Sequence, residues 1–131
     1  MKALRVGVIG FGGRGGHVGQ TAELATGGLM RVVAAVDPSD ERFKKGCETF
    51  RCHPVRYATG REMLATERVD VVIIGSPNAA HLENLQELEG AAVPIFLEKP
   101  LEANWEKICD VVRFCRSYQG PAPMRSIAWT G

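Results

Sequence analysis

The chain has no long hydrophobic run, no block of like charge, no internal repeat and no composition break that would act as a linker. Each absence removes a class of function. A membrane-spanning helix needs about 18 or more consecutive apolar residues, and no segment approaches that. Lysine and arginine number 16 against 15 aspartates and glutamates, for a formal net charge of +1. The electrostatic footprint of a dedicated nucleic-acid or membrane-surface binder is therefore missing. What is present is ordinary for a globular protein: 45% hydrophobic and 24% charged residues, which excludes a disordered chain. Its 131 residues fit one domain, and at that size roughly two thirds of the unfolded surface can be buried.

Four cysteines, Cys47, Cys52, Cys109 and Cys115, come without a secretory cleavage signal. A core of this size needs no disulfide frame, so reduced thiols and a cytoplasmic location are expected. Cys47, Cys52 and His53 invite a zinc reading, but their spacing matches no recognised ligand set, and no metal is expected.

Short apolar runs alternate with longer amphipathic segments, the pattern of a parallel sheet covered by helices. Strands are expected at Leu4–Ile9, Met30–Val36, Val55–Tyr57, Val69–Ile74 and Ile95–Leu97. Helices are expected at Arg14–Ala25, with Val18, Ala22 and Ala25 as the apolar stripe, and at Asp40–Phe50, Arg61–Ala65 and Ala79–Glu89. A last helix, from about Trp105 to Tyr118, repeats Trp105, Ile108, Val112 and Cys115 on one face. Met124–Trp129 is read as a short sixth strand after the turn Gly120-Pro121-Ala122-Pro123.

Between the first strand and first helix lies Gly10-Phe11-Gly12-Gly13-Arg14-Gly15, a G-x-G-x-x-G match. The first glycine makes the tight turn, the second leaves a path for pyrophosphate, and the third lets the helix pack on the strand. The following helix presents unpaired N–H groups and its positive dipole end to phosphates. Asp37 ends the second strand, 22 residues after Gly15, near the spacing for a carboxylate that accepts ribose hydroxyls. A capping role is the alternative reading, since Asp37-Pro38-Ser39-Asp40 is also good helix-start chemistry. A carboxylate there repels a 2′-phosphate, so NAD is expected over NADP, with Arg42 the residue that could still reach such a phosphate.

Two more segments fall at carboxyl ends of strands, where ligands of open α/β sheets bind: Ser76-Pro77-Asn78-Ala79-Ala80-His81 and Glu98-Lys99-Pro100. The ordered set of glycine loop, acid after the second strand, Pro-Asn-x-x-His and Glu-Lys-Pro resembles the Gfo/Idh/MocA oxidoreductases (glucose-fructose oxidoreductase, inositol dehydrogenase, rhizopine catabolism) over residues 3–118. The resemblance implies a Rossmann-type doubly wound parallel sheet of order 3-2-1-4-5, with a sixth strand able to follow. It implies a dinucleotide-binding domain over residues 1–119, then a tail over 120–131. It also implies NAD or NADP as cofactor and hydride exchange with a sugar, polyol or similar hydroxyl compound. Lys99 becomes the residue handling the proton of the substrate hydroxyl. The cofactor would be held by Gly10, Phe11, Gly12, Gly13, Arg14, Gly15, Asp37, Ser76, Pro77, Asn78, His81, Glu98 and Lys99. Pro100 holds Lys99 extended and could follow a cis bond. Asn78 is equally a helix cap, and His81 a helix-packing residue.

Members of the family usually carry a second domain that supplies the substrate pocket. It is not found in these residues, and Arg125 does not match the arginine that leads into it. The expectation is a fragment, a truncated product or a stand-alone module that binds cofactor, turns over little by itself and works with a second domain or subunit. The alternative is a non-catalytic dinucleotide-binding module. Exposed apolar surface makes a homo-oligomer a further expectation.

Overall fold

The computed structural model describes residues 2–100, 102 and 104–118. The expected sixth strand, the tail and Arg125 lie outside them.

Five strands, β1 (Leu4–Ile9), β2 (Met30–Val36), β3 (Val55–Tyr57), β4 (Val71–Ile74) and β5 (Ile95–Leu97), pair in parallel in the order β3-β2-β1-β4-β5. Helices α1 (Arg14–Ala25), α2 (Asp40–Phe50), α3 (Gly60–Thr66), α4 (His81–Glu87) and α5 (Trp105–Ser117) make the connections. The expected fold class and order hold. Strand neighbours step outward from β1 to β3, then the chain crosses back to β4 on the other side of β1. The reversal opens a crevice above the carboxyl ends of β1 and β4.

Alternation along the strands divides the core. Val6, Val8, Ala35, Val71 and Ile73 face α1 and α2 and pack with Phe11, Val18, Phe43 and Phe50. Ile9, Ala34, Val36, Val72 and Ile74 face the opposite side, with Met63, Leu85, Leu88 and Val111. Central parallel strands covered on both faces read as unbroken apolar runs, and β4 is buried along its length.

Two helices turn their most buried edge away from the centre of the stripe their apolar residues suggested. In α1 the fully buried residues are Gly15, Gly16 and Gly19; of the expected stripe Val18 and Ala22 are half-buried, Val18 packing on the core, and Ala25 is exposed. A Cβ on Gly16 would lie 2.2 Å from the Phe11 carbonyl oxygen, and one on Gly19 would lie 2.8 Å from Val32. The helix sits against the sheet through its backbone at Gly15 and Gly19, with the Val18 side chain packed beside them. In α5 Trp105 is 74% exposed and Val112 is exposed too, while Val111 is buried and Phe114, Cys115 and Tyr118 pack beneath it. The Tyr118 hydroxyl donates to the Val93 carbonyl at 2.7 Å, which turns this edge of the helix inward.

Other boundaries move slightly. β4 starts at Val71, and the expected helix at Ala79 opens as a 3₁₀ turn, Asn78–Ala80, before α4. Among the described residues no helix is long and apolar enough to cross a membrane, and no group of three His, Cys, Asp or Glu side chains could hold a metal ion.

All four cysteines are free thiols. Burial pushes the Cys52 thiol up to about 11, with the nearby Cys47 and Glu23 adding to the rise. Burial likewise raises Cys47 and Cys115. An unfolded Cys52 loses its proton near the ordinary thiol value, before the folded one does, so this contribution to stability is complete below that value and is lost as pH rises toward about 11. Urea melts above pH 9 are expected to show a steeper loss of stability for the parent than for Cys52→Ala. Identical slopes would contradict the buried-thiol assignment.

Candidate functional site

A cleft of about 720 Å³ lies over the carboxyl ends of β1, β2, β4 and β5. Its floor is made where β1 and β4 end side by side. Gly75 N–H donates to the Ile9 carbonyl at 2.8 Å, and Gly10 N–H to the Val36 carbonyl at 2.8 Å. Gly10 has φ +84, and a Cβ on it would stand 2.5 Å from the Ser76 nitrogen. Only glycine meets both conditions.

The glycine loop divides its labour differently from the pattern of its motif. A Cβ on Gly12 would meet the Arg42 backbone oxygen at 2.6 Å, so this position is closed by α2. The open position is Gly13, where a Cβ would meet nothing within 4 Å. Gly13 is also the N-cap of α1, with no side-chain cap bond and no acidic residue in the first turn. The helix therefore keeps its first N–H donors and positive dipole end for an anion. This uncapped start beside an open glycine is what fits a dinucleotide pyrophosphate.

Asp37 is 5% exposed. Its carboxylate accepts from Gly12 N–H at 2.9 Å and from Ser39 N–H at 3.0 Å. The cap of α2 is Ser39, whose hydroxyl accepts from Arg42 N–H at 3.2 Å, so Asp37 itself does not cap the helix. Two backbone bonds fix the carboxylate and leave acceptor lone pairs for further donors. Its position also ties the glycine loop to the end of β2.

Gly10, Gly13, Arg14, Asp37, Ser76, Pro77, Asn78, Glu98 and Lys99 line the cleft together. Phe11, Gly12, Gly15 and His81 do not. The Phe11 side chain is fully buried and packs on Phe43 and Phe50, with ring centroids 5.5 and 5.8 Å apart. Gly15 packs under Gly10, where a Cβ would lie 2.6 Å from the Gly10 oxygen. The His81 ring is fully buried, and its Nε2–H donates to the Ser76 carbonyl at 2.8 Å. It holds the turn after β4 from behind, while the Ser76 hydroxyl bonds to the Asn84 side chain. Asn78 lines the cleft, and neither the 3₁₀ turn nor α4 carries a side-chain cap.

Glu98 is buried, with its carboxylate 3.6 Å from the Arg14 guanidinium and within 3.3 Å of Lys99 N–H. It joins the glycine loop to the end of β5. The Lys99 side chain is exposed at the rim, before a cis peptide bond to Pro100.

The sequence reading missed the wall opposite the glycine loop, made by Ala58 and Thr59 after β3 and by Glu83, Asn84 and Glu87 from α4. The end of β3 was in principle detectable, because it is a strand carboxyl end like the others. The α4 residues become visible only once the helix's facing is known.

A family model for an oxidoreductase family with an NAD-binding Rossmann fold, GFO_IDH_MocA, matches residues 4–122. The chain is 33% identical over 98 residues to an inositol 2-dehydrogenase/D-chiro-inositol 3-dehydrogenase of Shouchella clausii, covering 75% of this chain and 28% of that protein. An inositol 2-dehydrogenase of Gluconacetobacter diazotrophicus is 30% identical over 102 residues, covering 77% and 30%. Among solved structures, myo-inositol dehydrogenase from Lactobacillus casei, in complex with NAD(H) and myo-inositol, superposes with a TM-score of 0.76 at 23% identity, covering 94% of this chain and 36% of that one. The chain thus spans about 30% of the length of the curated relatives it matches.

Proposed function

The chain belongs to the Gfo/Idh/MocA oxidoreductase family, and on that premise we propose that residues 1–119 are the dinucleotide-binding unit of an enzyme that exchanges hydride with a sugar, polyol or similar hydroxyl compound. The observation that carries this reading is the uncapped start of α1 at the open Gly13, facing the same cleft as Asp37 and Lys99. The inositol dehydrogenases among its relatives support the substrate class.

In this reading α1's N–H groups and Gly13 hold the pyrophosphate, and the fixed Asp37 carboxylate accepts from the adenosine ribose. Ser76, Pro77 and Asn78 form the wall beside the nucleoside. Glu98, anchored to Lys99 N–H and Arg14, sets the height of the loop that ends β5. The bound nicotinamide supplies hydride acceptance or donation. Lys99 Nζ takes up or returns the proton of the substrate hydroxyl, a task for a flexible ammonium at the cleft rim. A second domain or subunit brings the substrate, and a second copy of the chain is a further partner. The four free thiols support a reducing, cytoplasmic setting.

NADH is expected to bind more tightly than NADPH, because the Asp37 carboxylate opposes a 2′-phosphate carrying about −1.5 to −2 charges. Calorimetric titration with both cofactors checks this. Tighter NADPH binding would remove Asp37 from its ribose role, and failure of both cofactors to bind would overturn the functional reading.

A further inference from the structure

The turn that carries Asp37 is clamped from the sheet edge by Arg56, a residue of β3 outside the cleft lining. Its Nη2 and Nε both donate to the Asp37 carbonyl oxygen, at 2.8 and 3.2 Å. Its Nη1 is taken by the Asp40 carboxylate, and the guanidinium lies over the Phe43 ring, 5.3 Å from the centroid. A cation is thus held against the same residue whose carboxylate faces the cleft. Asp40 is the first residue of α2 and is largely exposed, with Glu41 beside it in the first turn.

This geometry bears on a question the ribose carboxylate alone leaves half answered. A 2′-phosphate would enter next to Asp37, where a guanidinium with a free N–H could form a charge-assisted bond to it. Arg56 has the right fork, but Nε and Nη2 each give a hydrogen to the Asp37 carbonyl and Nη1 is ion-paired with Asp40, so of five N–H groups two remain and the charge behind them is already offset by the Asp40 carboxylate. The pairing also acts on the acid. The Arg56 hydrogen bond and charge, with a smaller contribution from Lys44, hold the Asp40 carboxyl below its ordinary value, so it stays ionised across the working range.

We propose that Asp40 is a second determinant of cofactor choice: by holding Arg56 Nη1 in an ion pair, it withholds from a 2′-phosphate the cation that the Asp37 carbonyl has already positioned. The inference rests on the dinucleotide reading given above and adds a residue to it. In Asp40→Asn the two bonds to the Asp37 carbonyl would still orient Arg56, and the ion pair at Nη1 would become a neutral amide contact, leaving the guanidinium charge uncompensated for a phosphate. Arg42, which lines the cleft, is unchanged in the comparison and cancels from it.

Fluorescence titrations of NADH and NADPH with the parent, Asp40→Asn and Asp40→Asn/Arg56→Gln test the proposal. The single variant is expected to bind NADPH about tenfold more tightly than the parent, the size of one charge-assisted hydrogen bond, with NADH affinity within about twofold. The gain should shrink as salt is raised and vanish in the double variant, where the Arg56→Gln change keeps an amide donor near the Asp37 carbonyl but no charge. A gain that survives in the double variant would overturn the proposal, since loss of the negative charge alone would then explain it. Parent protein that binds NADH, paired with an Asp40→Asn variant that gains nothing for NADPH, would also overturn it and leave the dinucleotide reading standing. A parent that binds neither cofactor would defeat both.

Discussion

Gly75→Ala is expected to lower the thermal midpoint by roughly 10 °C or more, corresponding to about 3 kcal/mol of lost stability, and to take cofactor binding with it. The new Cβ would stand 2.2 Å from the Gly15 nitrogen and 2.4 Å from its Cα. Both are backbone atoms of the first turn of α1, so no side-chain rotation relieves the clash. Either α1 lifts from the sheet or the turn after β4 swings out, and each movement separates the glycine loop from Ser76 and Pro77. Gly13→Ala is the informative counterpart, because its Cβ would enter open space. Its midpoint should fall by only about 3–5 °C, about 1 kcal/mol for a less favourable cap residue, while NADH binding weakens from the methyl group placed in the anion's path. Calorimetric melts and NADH titrations on the pair separate packing from ligand approach. A Gly75→Ala midpoint equal to the parent's would mean that β4 and α1 do not meet as described.

Asp37→Ala is expected to weaken NADH binding by about 10- to 100-fold, the value of losing one to two hydrogen bonds to a charged acceptor, and to erase most of the preference over NADPH. It also strips acceptors from Gly12 N–H and Ser39 N–H. Partly buried donors left unpaired cost about 1–3 kcal/mol each at full burial, so a net stability loss of about 2 kcal/mol is expected. Asp37→Asn keeps one carbonyl oxygen in place and removes the charge. It should recover about half of the stability while leaving NADH binding impaired, a split that chemical denaturation and titration can read on the same samples. Parent-like NADH affinity in both variants would assign Asp37 to loop anchoring only.

The strands were legible because a sheet covered on both faces demands continuous apolar runs, and Val71–Ile74 and Leu4–Ile9 are such runs. Their order rested on the motif set rather than on the pattern of apolar residues. The facing of α1 and α5 was not legible, for opposite reasons. In α1 the most buried positions are glycines, which carry no hydrophobic signal, so Val18 was the visible part of the contact and Gly15, Gly16 and Gly19 were not. In α5 Trp105 and Val112 are apolar residues in exposed positions, so periodicity points to the wrong edge. At the site, the glycine loop and Asp37 could be read because their chemistry is concentrated in short segments. Arg56 could not, because its effect depends on the register of β3 against β2, which sets its side chain against the Asp37 carbonyl and which no local sequence signal carries. The role of Phe11 was likewise hidden, since it neighbours the cleft in sequence and turns its ring into the core; for His81 the helix-packing reading offered by the sequence is the one its buried ring matches.

The seating of α1 through Gly15, Gly16 and Gly19 has a mechanical consequence. Where a helix rests on side chains, rotamer changes act as springs between it and the sheet, and its end can drift as those chains repack. At Gly15 and Gly19 backbone meets backbone or strand side chain directly, and the side chain packed beside them is the short, β-branched Val18, stiff at χ1. The N–H groups at Gly13 and beyond therefore inherit the stiffness of β1 and β4. An arriving anion finds its donors already stationary, and little ordering of the protein is left to oppose its binding.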